Sequence, residues 1–167
     1  MYNVILREMT KYDIEKCTQI GFSAFGTSAV MQSLYHYESY FKGFIESRER
    51  YAFCIETNGK TAGFMTVQEI PSLMGGITIY IDDIAVEKKC QRKGIGTAAI
   101  KQLFAMFPDE NVNFMLKTMP DIPAYKLYDR LGFMDMNMSV MEKSLITQYI
   151  KKLRMENESL KKELEET

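Results

Sequence analysis

The sequence predicts an α/β fold, α+β in its organisation: a mixed central sheet flanked by helices, with a helical extension at the C-terminus. Three observations predict it. β-branched and aromatic runs of strand length alternate with segments of helical periodicity from Val4 to Phe133. In the middle, IYIDDIAVEKKCQRKGIGT (79–97) reads as a strand that ends in a basic turn with two glycines and continues into a helix. After Leu145, apolar residues recur every seven positions among lysines and glutamates.

The elements follow in order. Residues 4–7 form a first strand. Thr10 can cap a helix with Asp13 three residues on, and Ile14, Cys17, Gly21 and Ala24 keep helical spacing until Gly26-Thr27-Ser28 breaks it. A second helix is expected over 30–49, with Met31, Leu34, Tyr37, Phe41, Phe44 and Ile45 on one face. Strands over 51–56 and 61–69 flank Asn58-Gly59, a strong hairpin turn. Pro71 and Gly75-Gly76 precede a strand over 77–86. A helix over 97–107 stops at Pro108-Asp109, a strand follows at 113–117, and a helix over 124–131 closes at Gly132. Residues 134–143 read as a final strand region.

Composition narrows the function. The 167 residues suit one domain with a full core, and 46% hydrophobic and 26% charged residues are ordinary for a globular protein. Twenty-one bases against 22 acids, a net charge of −1, argue against nucleic acid as a main partner. No apolar run is long enough to span a bilayer and no signal peptide opens the chain, so a cytoplasmic protein without a membrane partner is expected. Cys17, Cys54 and Cys90 are odd in number and widely spaced, which reads as reduced thiols. A single histidine, His36, excludes a His-rich metal site, and no metal is expected. The 13 methionines read as core filler.

The glycine turn carries the chemistry. Free N–H groups at a helix N-terminus, reinforced by the helix dipole, make an anion site, and glycine lets a phosphate approach the backbone. The turn lacks the terminal Gly-Lys-Ser/Thr of nucleotide-binding loops and the three-glycine dinucleotide fingerprint. Gln91-Arg92-Lys93-Gly94-Ile95-Gly96 resembles the pyrophosphate loop of the GNAT superfamily of acyl-CoA-dependent N-acetyltransferases. Ala124-Tyr125-Lys126-Leu127-Tyr128-Asp129-Arg130-Leu131-Gly132-Phe133 resembles that family's closing signature, at the expected distance. The resemblance covers residues 2–145, more firmly in the half that bears the motifs.

The resemblance implies the GNAT fold and acetyl-CoA as cosubstrate. The cofactor's pantetheine arm would pair with the main chain of Ile84 and Val86, where the family's strand splays from its neighbour. Its pyrophosphate would sit on the N–H groups from Gln91 to Thr97, through Arg92, Lys93, Gly94, Ile95 and Gly96, with Arg92 and Lys93 adding charge at the rim. Tyr128, at the family's tyrosine position, would protonate the leaving thiolate, as a phenol of pKa about 10 can at neutral pH. Tyr80-Ile81-Asp82-Asp83-Ile84-Ala85-Val86 resembles the corresponding strand of polyamine acetyltransferases, which implies Asp82 as base. Asp83, Glu69 and an ordered water stay open for that role, and so does a purely structural use of both acids. Consecutive strand residues point to opposite faces, so Asp82 and Asp83 are expected to diverge.

On the acceptor side, Tyr35, His36, Tyr37, Glu38, Tyr40 and Phe41 offer aromatic faces and one acid that could hold an ammonium, although a tyrosine-rich core face is the simpler reading. Three departures from the family pattern stand out. Asp121 replaces an asparagine that helps hold the cofactor arm, Lys88 replaces a proline, and 132–143 is short for a closing pair of strands.

Two parts are expected: an acetyltransferase domain over 1–145 and an amphipathic, coiled-coil-like helix over 146–167. In the tail, Ile146, Leu153 and Leu160 form one row, and Ile150, Asn157 and Leu164 a second row offset by four. The rows suit a homodimer seam, with a helix lying on its own domain as the alternative. The reading is an N-acetyltransferase acting on a primary amine of a small molecule or protein, a polyamine-like acceptor leading. A catalytically idle module of the same fold, binding CoA or nothing and dimerising through the tail, is the rival.

Overall fold

In a computed structural model, residues 3–25, 34–141, 143, 152 and 155 are described. The chain divides into two units, Met1–Phe133 and Met134–Thr167.

The first unit is built on a five-stranded sheet in the order β1-β2-β3-β4-β5. Its strands are β1 (Val4–Glu8), β2 (Arg50–Thr57), β3 (Lys60–Pro71), β4 (Ile77–Val86) and β5 (Val112–Leu116). The first four run antiparallel, and β5 pairs with β4 in parallel. The helices are α1 (Ile14–Phe25), α2 (Leu34–Ile45), α3 (Ile95–Met106) and α4 (Tyr125–Arg130). The parallel step needs a crossover, which α3 supplies.

Alternation along the strands builds a core on each face of the sheet. In β2, Phe53 and Ile55 join Met65, Val67, Ile79 and Ile81 and the α3 side chains Ile95, Ala99, Ile100 and Leu103. Ala52 and Cys54 join Phe64 and Ala85 on the opposite face, under Ile14, Cys17 and Ile20 of α1 and Phe41 and Phe44 of α2. Cys17 and Cys54 are free thiols with sulfurs 3.8 Å apart.

Two polar side chains, Gln102 and Arg7, pin the edge strand β1. The Gln102 side chain, on α3, accepts from the Leu6 N–H (2.8 Å) and donates to the Val4 carbonyl (2.6 Å), which occupies main-chain groups along that edge. Arg7 forks onto both oxygens of Asp13 (2.9 and 2.8 Å) and reaches Glu56 Oε1 (2.7 Å). The guanidinium holds the Asp13 carboxyl far below the usual carboxylate range.

The differences from the sequence reading have physical reasons. Asp13 accepts from the Thr10 N–H and hydroxyl, both at 2.8 Å, and regular helix begins only at Ile14. The second helix ends at Ile45 instead of 49, and residues 30–33 lie outside the described residues. No strand forms over 134–141: each of these residues is exposed, so no buried face supports a ladder. Lys152 and Met155 are helical, and the rest of the tail reading lies outside the described residues. Among the described residues, no helix is long and apolar enough to cross a membrane.

Candidate active site

The site grows from the place where β4 leaves β5. Their register runs from Ile77 opposite Val112 to Ile81 opposite Leu116 and stops there, while β4 stays paired with β3 as far as Val86. Beyond Ile81, one side of β4 therefore has no strand beside it among the described residues. The Glu87 N–H donates to the Ala62 carbonyl across β3 (2.7 Å). Alternation then turns the main-chain groups of Ile84 and Val86 the other way, toward the gap. The Val86 carbonyl there accepts from the Gln91 side-chain amide (2.9 Å).

A cleft of about 350 Å³ adjoins this stretch, lined by Lys16, Gln19 and Ser23 of α1 and by Val86, Glu87 and Gln91. Glu87 would repel an anion, but Lys16 (2.9 Å) and Lys89 (3.1 Å) pair with it and hold its carboxyl below the usual range. The basic turn then leads into α3. Gly94 is its N-cap at φ 76°, in the left-handed region that favours glycine, with no side chain capping the helix. The first helical bond joins the Ala98 N–H to the Gly94 carbonyl (3.0 Å), so Ile95, Gly96 and Thr97 present N–H groups that the helix does not use. A Cβ placed at Gly94 would meet nothing within 4 Å, which marks open space above the turn. Arg92 and Lys93 are exposed beside it, and Lys93 Nζ donates to the Lys89 carbonyl (2.8 Å).

The two aspartates do not follow simple alternation. Thr66 stands opposite Asp83 and Val67 opposite Ile81, so Asp82 is the extra residue of a β-bulge. Gln68 Nε2 donates to Asp82 Oδ1 (2.8 Å), while Oδ2 is buried without a hydrogen-bond partner. Burial raises the Asp82 carboxyl above its usual range, and the charge of Asp83 adds to the rise. Asp83 Oδ2 accepts from the Tyr40 hydroxyl (2.8 Å), whose oxygen lies 2.9 Å from the Thr66 hydroxyl. Asp83 also lines a cavity of about 480 Å³ with Phe25, His36, Tyr37, Tyr40, Phe41 and Phe64.

Tyr128 lies on α4 with its ring edge-on to Phe133 at 5.8 Å. Burial raises its phenol above the ordinary value and the negative charge of Asp83 raises it further, so the hydroxyl keeps its proton at neutral pH. Asp83 acts in the same way on Tyr37 and Tyr40.

The structure thus places Val86 and Gln91 on one cleft, with Ile84 two residues earlier on β4 and the turn through Thr97 following Gln91, and the charge of Asp83 acts on Tyr128. Asp82 lies beside them on the bulge. Glu69 is apart, opposite Ile79 and accepting from the Tyr51 hydroxyl (3.1 Å). Asp121 is exposed. Sequence reasoning missed the Tyr40–Asp83 bond and the bulge. The aromatic run over 35–41 was the available signal for the first, and the second leaves none. Among the described residues, no group of three or more acids, cysteines or histidines is placed to hold a metal ion.

The mixed sheet with a glycine turn opening α3 has the architecture of an acetyltransferase fold. The acetyltransferase (GNAT) family matches residues 14–133, and the chain belongs to that family. No curated protein matches it. Among solved structures, a possible acetyltransferase from Clostridium difficile 630 is similar at TM-score 0.74 and 16% identity, over 85% of this chain and 97% of that one. The aminoglycoside N-acetyltransferase AAC(6')-Iy in complex with CoA is similar at TM-score 0.71 and 12% identity, over 87% and 97%. A transcriptional regulator from Bacillus halodurans C-125 is similar at TM-score 0.70 and 17% identity, over 85% and 100%. At these identities the likeness is one of fold.

Proposed function

We propose that the chain transfers an acetyl group from acetyl-CoA to a primary amine by direct attack within a ternary complex. The observation that carries this reading is the end of β4–β5 pairing at Ile81, with Asp83 early in the unpaired stretch of β4 and the glycine turn beyond its other end. The CoA complex of AAC(6')-Iy, similar in fold, supports acetyl-CoA as the cosubstrate.

Each group has a task. The main chain of Ile84 and Val86 takes the pantetheine arm as an added strand, with Gln91 held against the Val86 carbonyl at its end. The N–H groups from Gln91 to Thr97 bind the pyrophosphate, helped by Arg92 and Lys93 at the rim. A carboxylate of the Asp82–Asp83 pair takes the proton of the incoming ammonium, directly or through a water. Lining the acceptor cavity favours Asp83 for contact with the amine, and a raised affinity for protons favours Asp82 as the stronger base. The neutral amine then forms its bond to the thioester carbonyl carbon, the carbon–sulfur bond breaks, and Tyr128 gives its proton to the departing sulfur; the second proton of the attacking nitrogen passes, directly or through water, to the Tyr128 phenolate, which leaves a neutral amide and restores the phenol.

The test follows release of free CoA thiol from acetyl-CoA with a panel of primary amines. Amine-dependent release by the wild-type chain supports the reading. Release no faster than buffer hydrolysis across the panel, with acetyl-CoA bound, would leave a CoA-binding module without this activity.

A further inference from the structure

We infer that the acceptor cavity selects an amine with one ammonium and an apolar body, an aryl- or alkylamine, over a polycation. This deepens the acetyl-transfer reading and rests on it only for the chemical step.

The cavity of about 480 Å³ has room for such a molecule, and its walls are aromatic. Phe41 meets Phe64 edge-on at 4.9 Å, Tyr40 meets Phe41 at 5.6 Å and Phe25 meets Phe64 at 6.4 Å, so the rings brace one another. Phe41 and Phe64 are almost fully buried and anchor this wall in the core, whereas Phe25 stands 42% exposed at the mouth. Aromatic area rewards an apolar body with dispersion and lost hydration, while a ring face replaces the lost hydration of an ammonium only in part, so the ammonium belongs at Asp83.

Among the described lining residues, Asp83 is the sole carboxylate. The Tyr40 hydroxyl holds its Oδ2, which fixes the one strong partner for an ammonium. Asp82 is tied to Gln68 and does not line the cavity. Each further ammonium of a polyamine or aminoglycoside would lose water against aromatic rings without a counter-charge, which is costly.

The test is calorimetric binding to the full chain, with and without CoA, of 2-phenylethylamine, hexylamine, spermidine and kanamycin. 2-Phenylethylamine is expected to bind at least about tenfold more tightly than spermidine or kanamycin. Asp83→Asn is expected to weaken it about tenfold or more, and Phe25→Ala about threefold. Equal or tighter binding of either polycation, or no amine binding, overturns the inference, as does an unchanged affinity in both variants. CoA release, followed separately, keeps the two readings apart. Selective binding without turnover upholds the cavity's selectivity and removes acetyl transfer, whereas faster turnover of spermidine upholds acetyl transfer and removes the selectivity.

Discussion

The Tyr40 hydroxyl donates to Asp83 Oδ2 across 2.8 Å, and this bond ties α2 to the strand at the centre of the site. Tyr40 packs tilted against Phe44 at 4.7 Å and meets Phe41 edge-on at 5.6 Å, so the core of α2 sets where the hydroxyl can be. Burial keeps that hydroxyl protonated, and it faces the carboxylate strictly as a donor. The carboxylate that lines the cavity thus has its orientation fixed.

If Tyr128 is the acid of the proposed mechanism, its replacement by Phe removes the donated proton and little else, since the ring keeps its packing against Phe133. The turnover number is expected to fall about 100-fold or more, with acetyl-CoA affinity within about twofold of wild type. Steady-state kinetics beside a calorimetric titration measure both. An unchanged turnover number would reduce Tyr128 to a packing residue.

The two aspartates are expected to separate in their pH behaviour. Asp82 is raised by burial, so ionising it works against the fold. A raised carboxyl adds stability below its unfolded value, near 3.8, and that contribution is lost as pH rises through the folded value. Asp82→Asn is therefore expected to melt higher than wild type at neutral pH, with the gap closing as pH falls toward 4. Asp83→Asn is expected to lose turnover at every pH. Melting curves and pH–rate profiles on both variants check this, and an Asp82→Asn protein that melts lower at neutral pH would contradict it.

Gly94 and Gly96 are expected to fail for different reasons. A methyl at Gly96 would touch Leu127 at 3.8 Å and Val86 at 4.0 Å, ordinary contacts that the fold accepts. Gly96→Ala should keep the melting temperature and raise the dissociation constant for acetyl-CoA about tenfold by standing where a phosphate must approach. Gly94→Ala forces a left-handed backbone at φ 76° on a Cβ and should also cost about 1 kcal/mol of stability. Unchanged acetyl-CoA binding in Gly96→Ala would remove the phosphates from this turn.

The tail carries a separate expectation from its sequence. Two apolar rows with Asn157 inside one of them suit pairing of two copies. Truncation after Lys143 is expected to halve the mass seen by light scattering and to leave acetyl-CoA binding intact. An equal number of chains per particle before and after truncation would rule the pairing out.

The elements most legible in the sequence are those that local chemistry fixes. Asn58-Gly59 reads as a tight hairpin because both positions must take positive φ, and they do, at 51° and 72°. The strand, glycine turn and helix from Ile77 to Met106 read correctly because the left-handed cap demands Gly94. The bulge at Asp82 is invisible, because Ile81-Asp82-Asp83-Ile84 reads the same whether or not a residue is looped out, and the opposing pair Thr66 and Val67 decides it. The aromatic run over 35–41 includes Tyr40 but does not tell a ring in the core from one whose hydroxyl reaches Asp83. At Met134, Met136 and Met138 the alternation imitates a strand, yet all three are exposed.

The central claim is that the opened strand and the glycine turn together hold acetyl-CoA. Its most direct test is a calorimetric titration of the full wild-type chain with acetyl-CoA. The account predicts saturable binding of about one molecule per chain, weakened about tenfold in Gly96→Ala. No saturable heat up to millimolar acetyl-CoA, together with an unshifted melting temperature, would contradict it.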